Sequence, residues 1–274
     1  MLKRLLGFLT FVVALLPALQ GSDHAVQRVL VLGAVPQEVT VITDALEDAE
    51  SRMLRGIEYT RGSLGEKEVI VSVTGVGKTF TGMVTTLFLT EFEPDMAFMT
   101  GTGARINPEL STGDVIVADT IFFHDYGSMT EHDIAWHYHD PSGVMANEPY
   151  FSHPAPTELR QAAAILEGYT PHTVVVDGEE RTVTIERGTV TSGDLFGVNA
   201  RRIAKLRKAE ADIMEMESAG FAQICEQFEV PYLVIRSGSN QAQPTPNDDY
   251  KIYGPIAARS AATVTLHLIQ NWEL

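Results

Sequence analysis

The sequence predicts an α/β fold: a single domain with a central mixed, mostly parallel sheet flanked by helices. Three observations carry that expectation. Apolar runs of strand length alternate with segments of helical periodicity along the chain. Most of these runs are apolar at consecutive positions, as strands covered on both faces must be. Four of them end in glycines, hydroxyls or acids, "GAVPQE", "TGTGA", "MEMES" and "RSGSN". Ligands of such sheets sit beyond the carboxyl ends of the strands, so the four ends are expected to converge on one site. At 274 residues the chain has the length of one large α/β domain.

The elements follow in order. "RVLVLGAV" (28–35) reads as a buried parallel strand. "PQEVTVITDALEDA" has apolar residues at helical spacing, with Pro36 suited to a first turn. "GIEYTRGSL" and "EVIVSVTGVG" read as two strands around a turn at Gly65, and 78–92 as a helix stopped by Pro94. Strands are expected at 96–104, 113–125, 182–194, 212–217 and 231–236. Helices are expected at 199–209, at 218–229 and from about 255 to 271. The stretch 126–181 is the least regular and reads as an insertion or lid.

The first residues differ in kind. Lys3 and Arg4 precede the apolar run Leu5 to Leu16, followed by Pro17 and "ALQGSDHA". A basic start, a short apolar core and a small-residue exit are the pattern of a secretory signal peptide, here residues 1–21, leaving 22–274 as the domain. Gly21 and Ala25 are both candidate exits, and an uncleaved anchor is the competing reading. A cleaved leader places the protein in the periplasm or outside the cell. The formal charge of −16 repels phosphate backbones and anionic lipids, which argues against nucleic acid as a partner. Cys225 is the only cysteine, so the chain forms no internal disulfide, and its helical setting reads as core.

Several motifs compete with blander readings. "GVGKT" (75–79) would need Gly at Ser72 to be a phosphate loop, and "GAVPQE" lacks the dinucleotide fingerprint. His132, His137 and His139 lack cysteines or carboxylates at ligand spacing, so a polar loop is the reading and no metal or cofactor is expected. Glu215 and Glu217 are harder to dismiss, because a carboxylate at the end of a buried strand needs a partner or a ligand. On a strand the two would share a face and could clamp hydroxyls or handle protons. In the competing reading they form the acidic first turn of the following helix.

Taken in order, "LGAVPQEV", "GVGK", "TGTGARINPELSTGDVIVAD", "SGDLF" and "MEMESAGFAQICEQFEVPYLVIRSGSN" resemble the nucleoside phosphorylase and nucleosidase superfamily. The resemblance spans roughly 28–270, is weakest over 126–181, and is strongest to the methylthioadenosine/S-adenosylhomocysteine nucleosidase branch. It implies a sheet partly closed into a barrel, assembly as a homodimer, and cleavage of the N-glycosidic bond of a small-molecule nucleoside through an oxocarbenium-like state. By position, it implies that Glu38 activates the attacking water, that Arg236 holds Glu38 and the water, and that Thr102 flanks them. Glu217 then grips ribose hydroxyls over Met216, with Glu215 beside it, while Phe196 stacks on the base and Gly197 offers a backbone contact. A carboxylate such as Glu38 would repel a phosphate dianion, and Phe98 or Met99 stands where phosphorylases tend to carry Arg. Hydrolysis is therefore favoured over the phosphorolytic alternative, with Arg105 an unassigned cation.

The sequence departs from the nucleosidase pattern at Asn240. There the pattern has a Ser-Asp pair whose acid protonates the leaving base, and an amide can donate a hydrogen bond but not a proton. Three consequences follow: a 6-oxopurine substrate, a slow adenine nucleosidase, or a weak binding protein. Retention of Glu38, Glu217 and Arg236 speaks against the last.

Overall fold

The computed structural model describes residues 27–139 and 143–273. The signal-peptide reading of 1–21 lies outside the described residues. Ten strands form the main sheet: β1 (Arg28–Gly33), β2 (Glu47–Leu54), β3 (Ile57–Leu64), β4 (Lys67–Val73), β5 (Met96–Arg105), β6 (Val115–Phe123), β7 (Phe151–Ser152), β8 (Ile185–Ser192), β9 (Ile213–Glu215) and β10 (Tyr232–Gln241). Their order is β7-β6-β8-β9-β5-β1-β4-β3-β2, with β10 bridging β5 and β6. β10 runs parallel to β5 and antiparallel to β6, and β9 runs antiparallel to β5. The circuit β5-β10-β6-β8-β9-β5 therefore closes on itself, as the resemblance implied, and leaves no free edge in that half of the sheet.

Six helices cover the sheet: α1 (Thr40–Ala45), α2 (Lys78–Phe92), α3 (Pro156–Glu167), α4 (Ala200–Lys208), α5 (Ser218–Gln227) and α6 (Asn247–Asn271). The β-branched runs Val29–Val31 and Val69–Val71 split their side chains between two cores. Odd positions of β1 meet Ala261, Leu268 and Ile269 of α6, and even positions meet Val84 and Phe88 of α2 and Phe221 of α5. Period-2 alternation with both faces apolar produces that division and explains why these strands read as continuous hydrophobic runs.

Five sequence expectations need correction. The helix expected over 36–49 is a 3₁₀ turn, Pro36–Glu38, followed by the six-residue α1, after which the chain turns into β2. β2 is a charged, almost wholly exposed edge strand, and its acids mimic the polar face of a helix while they guard a sheet edge. α6 begins two turns before its expected start at 255 and carries Pro255 in its interior. Losing one amide there costs about 3 kcal/mol in an isolated helix, and burial of Ala257, Ala258, Ala261 and Leu268 outweighs it. The strand expected at 231–236 runs on to Gln241, so Ser239 and Asn240 lie within the sheet. The strand expected at 212–217 ends at Glu215. Within the supposedly irregular 126–181, α3 and the hairpin Thr173–Val176/Glu179–Thr182 are regular structure.

Candidate active site

The carboxyl ends of β1, β5, β9 and β10 open on one cavity of about 270 Å³. Its wall contains Glu38, Thr102, Glu215, Met216, Glu217 and Asn240, together with Phe196 and Gly197. Every predicted site residue except Arg236 lines it directly. Arg236 lies just behind the wall with no exposed surface.

Glu38 sits in the 3₁₀ turn that follows β1 and is buried. Its Oε2 accepts from the Ala34 amide at 2.7 Å and, more loosely, from Val35 at 3.3 Å. Its Oε1 accepts from the Thr102 amide at 2.8 Å and the Thr102 hydroxyl at 3.0 Å. Backbone donors from two strand ends thus fix the carboxylate in place. Gly101 makes this approach feasible, since a methyl there would lie 2.8 Å from Glu38 Oε1 and collide with Arg236 Nη1.

Arg236 does not hold Glu38 as the resemblance implied. Its Nη2 lies 2.6 Å from Glu215 Oε2 and 3.6 Å from Glu217 Oε2. Nη2 has no aligned hydrogen bond, so this contact is one of charge. Nε donates to Ser218 Oγ at 2.9 Å and Nη1 to the Thr102 carbonyl at 3.3 Å. Burial opposes the guanidinium's charge, but the carboxylates of Glu215, Glu217 and Glu38 outweigh it and raise the pKa.

Glu215 and Glu217 share a site without sharing a strand. Glu217 occupies the residue before α5 with φ −127° and ψ −43°, as the competing acidic-turn reading had it. Glu215 is consumed by the protein, accepting from the hydroxyls of Ser192 and Ser218 and from the amides of Glu217 and Ser218. It is thereby a partner of Arg236 and the α5 N-terminus, with little left for a substrate. Glu217 is freer: its Oε1 accepts from the Gly77 amide at 2.8 Å, and Oε2 has a long bond from the Met216 amide beside the charge contact with Arg236. Burial, reinforced by the Glu215 charge, pushes the Glu217 carboxyl up to about 8 despite Arg236.

Asn240 is buried, and two bonds orient its amide. Oδ1 accepts from Ser239 Oγ at 3.1 Å, and Nδ2 donates to the Gln241 carbonyl at 2.8 Å. One N–H and one lone pair remain for the cavity. Phe196 is half-exposed and meets Tyr250 edge-on at 5.9 Å. Gly197 has φ +94°, and a side chain there would strike the Pro244 carbonyl, so this segment requires glycine.

Sequence reading missed Tyr250, Gly77 and Ser192. Starting the last helix at Pro255 left Tyr250 in a loop, whereas its position in α6 turns it onto the cavity. The Gly77 role is a backbone donor, which no side-chain pattern announces. His124 was also unremarked: it is buried at the end of β6, both ring nitrogens lack partners, and burial lowers its pKa to about 4. Among the described residues no group of three His, Cys, Asp or Glu is placed to hold a metal.

Comparison with known proteins agrees with this fold. The family model of the phosphorylase superfamily matches residues 28–270. A 5′-methylthioadenosine/S-adenosylhomocysteine nucleosidase of Bacillus cereus (strain G9842) is 30% identical over 246 residues, covering 89% of this chain and 99% of the relative. Among solved structures, the nucleosidase of that name from Neisseria meningitidis, bound to methylthio-immucillin-A, superposes with a TM-score of 0.75. It is 24% identical and covers 90% of this chain and all of its own. Futalosine hydrolase of Helicobacter pylori gives a TM-score of 0.76 at 24% identity, over 91% of this chain and all of its own.

The two perturbed groups set the pH dependence of stability. Glu217 binds its proton more tightly folded than unfolded, so its contribution is complete below pH 4.5 and is lost as pH rises through about 8. His124 binds its proton less tightly folded, so its contribution is present above pH 6.5 and lost as pH falls through about 4. Thermal unfolding followed from pH 4 to 9 should show both limbs, with Glu217→Gln flattening the alkaline one and His124→Leu the acid one. Unchanged limbs in these variants would show that other groups control them.

Proposed function

The chain belongs to the phosphorylase superfamily and is an N-glycosyl hydrolase that frees a purine base from a nucleoside; we propose how its residues do so and which base it prefers. The observation that carries hydrolysis is Glu38, a buried carboxylate held by four donors at the wall of the cavity. A phosphate dianion at that wall would meet a fixed negative charge, whereas water finds an acceptor for its proton. Glu38 takes a proton as the water oxygen bonds to C1′ of the sugar, and the electron pair of the glycosidic bond leaves with the base. Glu217 holds ribose hydroxyls, Met216 packs under the sugar, and Phe196 and the Gly197 backbone meet the base. Arg236 and Glu215 act behind them as positioning residues.

Asn240 selects the base. Its remaining N–H suits the O6 and N7 acceptors of a 6-oxopurine, and its neutrality leaves an adenine without a proton donor. The names of the relatives favour a second reading, in which a methylthioadenosine-like nucleoside is cleaved slowly. An acid at this position would face the Gln241 carbonyl across the 2.8 Å now spanned by an N–H. Burial and that carbonyl would keep such an acid protonated.

Base release without phosphate should therefore be measured on inosine, guanosine, adenosine and methylthioadenosine. Hypoxanthine or guanine is expected as the fastest product, with Glu38→Gln abolishing release and added phosphate leaving it unchanged. Asn240→Asp should raise adenine release by about 10²-fold, the lower end of general-acid effects. Adenine as the fastest product of the unaltered chain would overturn the 6-oxopurine preference.

Homodimerisation is proposed on an exposed apolar stripe. Val76 at the cavity rim is followed along α2 by Phe80 and Met83, each about half exposed. A second copy seated there would cover the stripe and narrow the cavity mouth. Sedimentation should give twice the chain mass, and Phe80→Glu with Met83→Glu should give monomers; a monomeric unaltered chain would refute this.

Export is the remaining proposal, resting on the leader-like first 21 residues. A periplasmic or secreted enzyme would release bases from nucleosides outside the cytosol. Fractionation of cells expressing the full chain should recover a shortened protein outside the cytosol, and full-length cytosolic protein would argue against export.

A further inference from the structure

Hydrolysis leaves a problem that the residues assigned above do not solve. Each turnover deposits a proton on Glu38, a buried carboxyl enclosed by the Ala34, Val35 and Thr102 donors. Asn240 offers no carboxylate to receive that proton. Unless it leaves, Glu38 cannot act again.

A line of hydroxyls runs from Glu38 to the surface. Thr102 Oγ1 lies 3.0 Å from Glu38 Oε1, Tyr250 Oη lies 3.4 Å from Thr102 Oγ1, and Gln37 Nε2 lies 3.3 Å from Tyr250 Oη. Gln37 is exposed. The directions follow from proton counting. Thr102 has one hydroxyl proton and spends it on Glu38, so Tyr250 is the donor to Thr102, and Tyr250 in turn accepts from the Gln37 amide.

Resting on the hydrolytic role of Glu38, we propose that Thr102 and Tyr250 form a proton relay that carries the water-derived proton from Glu38 to solvent at Gln37. In the empty site every proton in the line points toward Glu38. Once Glu38 is protonated, Oε1 becomes the donor, and the two hydroxyls turn. Thr102 Oγ1 takes the proton from Glu38 as its own passes to Tyr250 Oη, and the Tyr250 proton passes to water beside Gln37. The base, having left with the bonding electron pair, takes its proton from solvent. The sum is nucleoside plus water giving sugar plus neutral base, with nothing oxidised or reduced.

Tyr250 is suited to the task. Burial raises its pKa, with the Thr102 bond pulling the other way, so the hydroxyl remains protonated between turnovers. Its ring is braced edge-on by Phe196, and the charges of Glu38, Glu217 and Arg236 act on it. As a positioning residue it acts through Thr102, and removing its hydroxyl alone cuts the line while keeping the ring.

The test is rapid-quench kinetics of the full chain and its Tyr250→Phe variant, on whichever of inosine, guanosine, adenosine or methylthioadenosine the unaltered chain cleaves fastest. The relay requires a first turnover at the unaltered rate, giving a burst of one base per site. Steady turnover should then fall on the order of tenfold, equivalent to 1.4 kcal/mol on the barrier, with KM little changed. Imidazole buffer should restore it in proportion to its concentration. Thr102→Val, which also takes a donor from Glu38, should slow later turnovers more than the first, and Thr102→Ser, which keeps the hydroxyl, should not. Equal slowing of the first and later turnovers, or no slowing, would overturn the relay. Full activity of Glu38→Gln, or no turnover of any of the four by the unaltered chain, would overturn the hydrolytic reading itself.

Discussion

One buried guanidinium organises the active half of this molecule. Arg236 has no exposed surface and lies among three carboxylates that come from different parts of the chain. Glu215 ends β9, Glu217 opens α5, and Glu38 follows β1. Burying acids at that density is costly without a cation among them, and even with one Glu217 holds a proton. Removing one partner of such a buried pair typically costs about 3–5 kcal/mol, because the remaining charge is stranded. The constraint reaches the backbone: Gly101 has no side chain because Arg236 Nη1 and Glu38 Oε1 crowd the place where one would go.

The closed circuit of strands makes this crowding affordable in geometric terms. Because β10 pairs with β5 on one side and β6 on the other, Ile235, Arg236 and Ser237 are fixed from both edges. A side chain rooted in so rigid a strand cannot retreat from its acids toward solvent. Asn240, four residues further along and past the residues paired on both sides, has its amide aimed instead by Ser239 and the Gln241 carbonyl. In the proposed reading, selection of a base and support of the sugar site thus draw on one strand.

Much of this was legible in sequence, and the failures have physical causes. Continuous apolar runs marked β1, β4 and β5, as burial on both faces requires. Convergence of the four strand ends was readable from their glycines and acids. β2 was not, because an edge strand made of Glu, Asp, Arg and Ser satisfies the demands of an exposed helix face equally well. Pro255 suggested a helix start, whereas tertiary packing of the following alanines sustains the helix through it and places Tyr250 at the cavity. The wrong partner for Arg236 has a related cause. Sequence spacing places Glu38 and Arg236 in one site, but which acid claims the guanidinium depends on distances between non-consecutive strands.

The charge pattern of the cavity also bears on Asn240. At the sugar end, Glu38, Glu215 and Glu217 outnumber Arg236, a surplus of negative charge that Glu217 relieves by holding a proton in the empty site. In the proposed reaction the sugar becomes cationic at the transition state, so that surplus gains value as the bond breaks. The base end gathers electron density at the same moment, and there the lining is neutral: Phe196, the Gly197 backbone and the Asn240 amide. An acid at 240, held protonated by its surroundings, would become a further negative group only as it gave its proton to the departing base. An amide keeps a donor at that end without adding charge, so the site stays polarised along the bond to be broken, negative toward the sugar and hydrogen-bond donating toward the base.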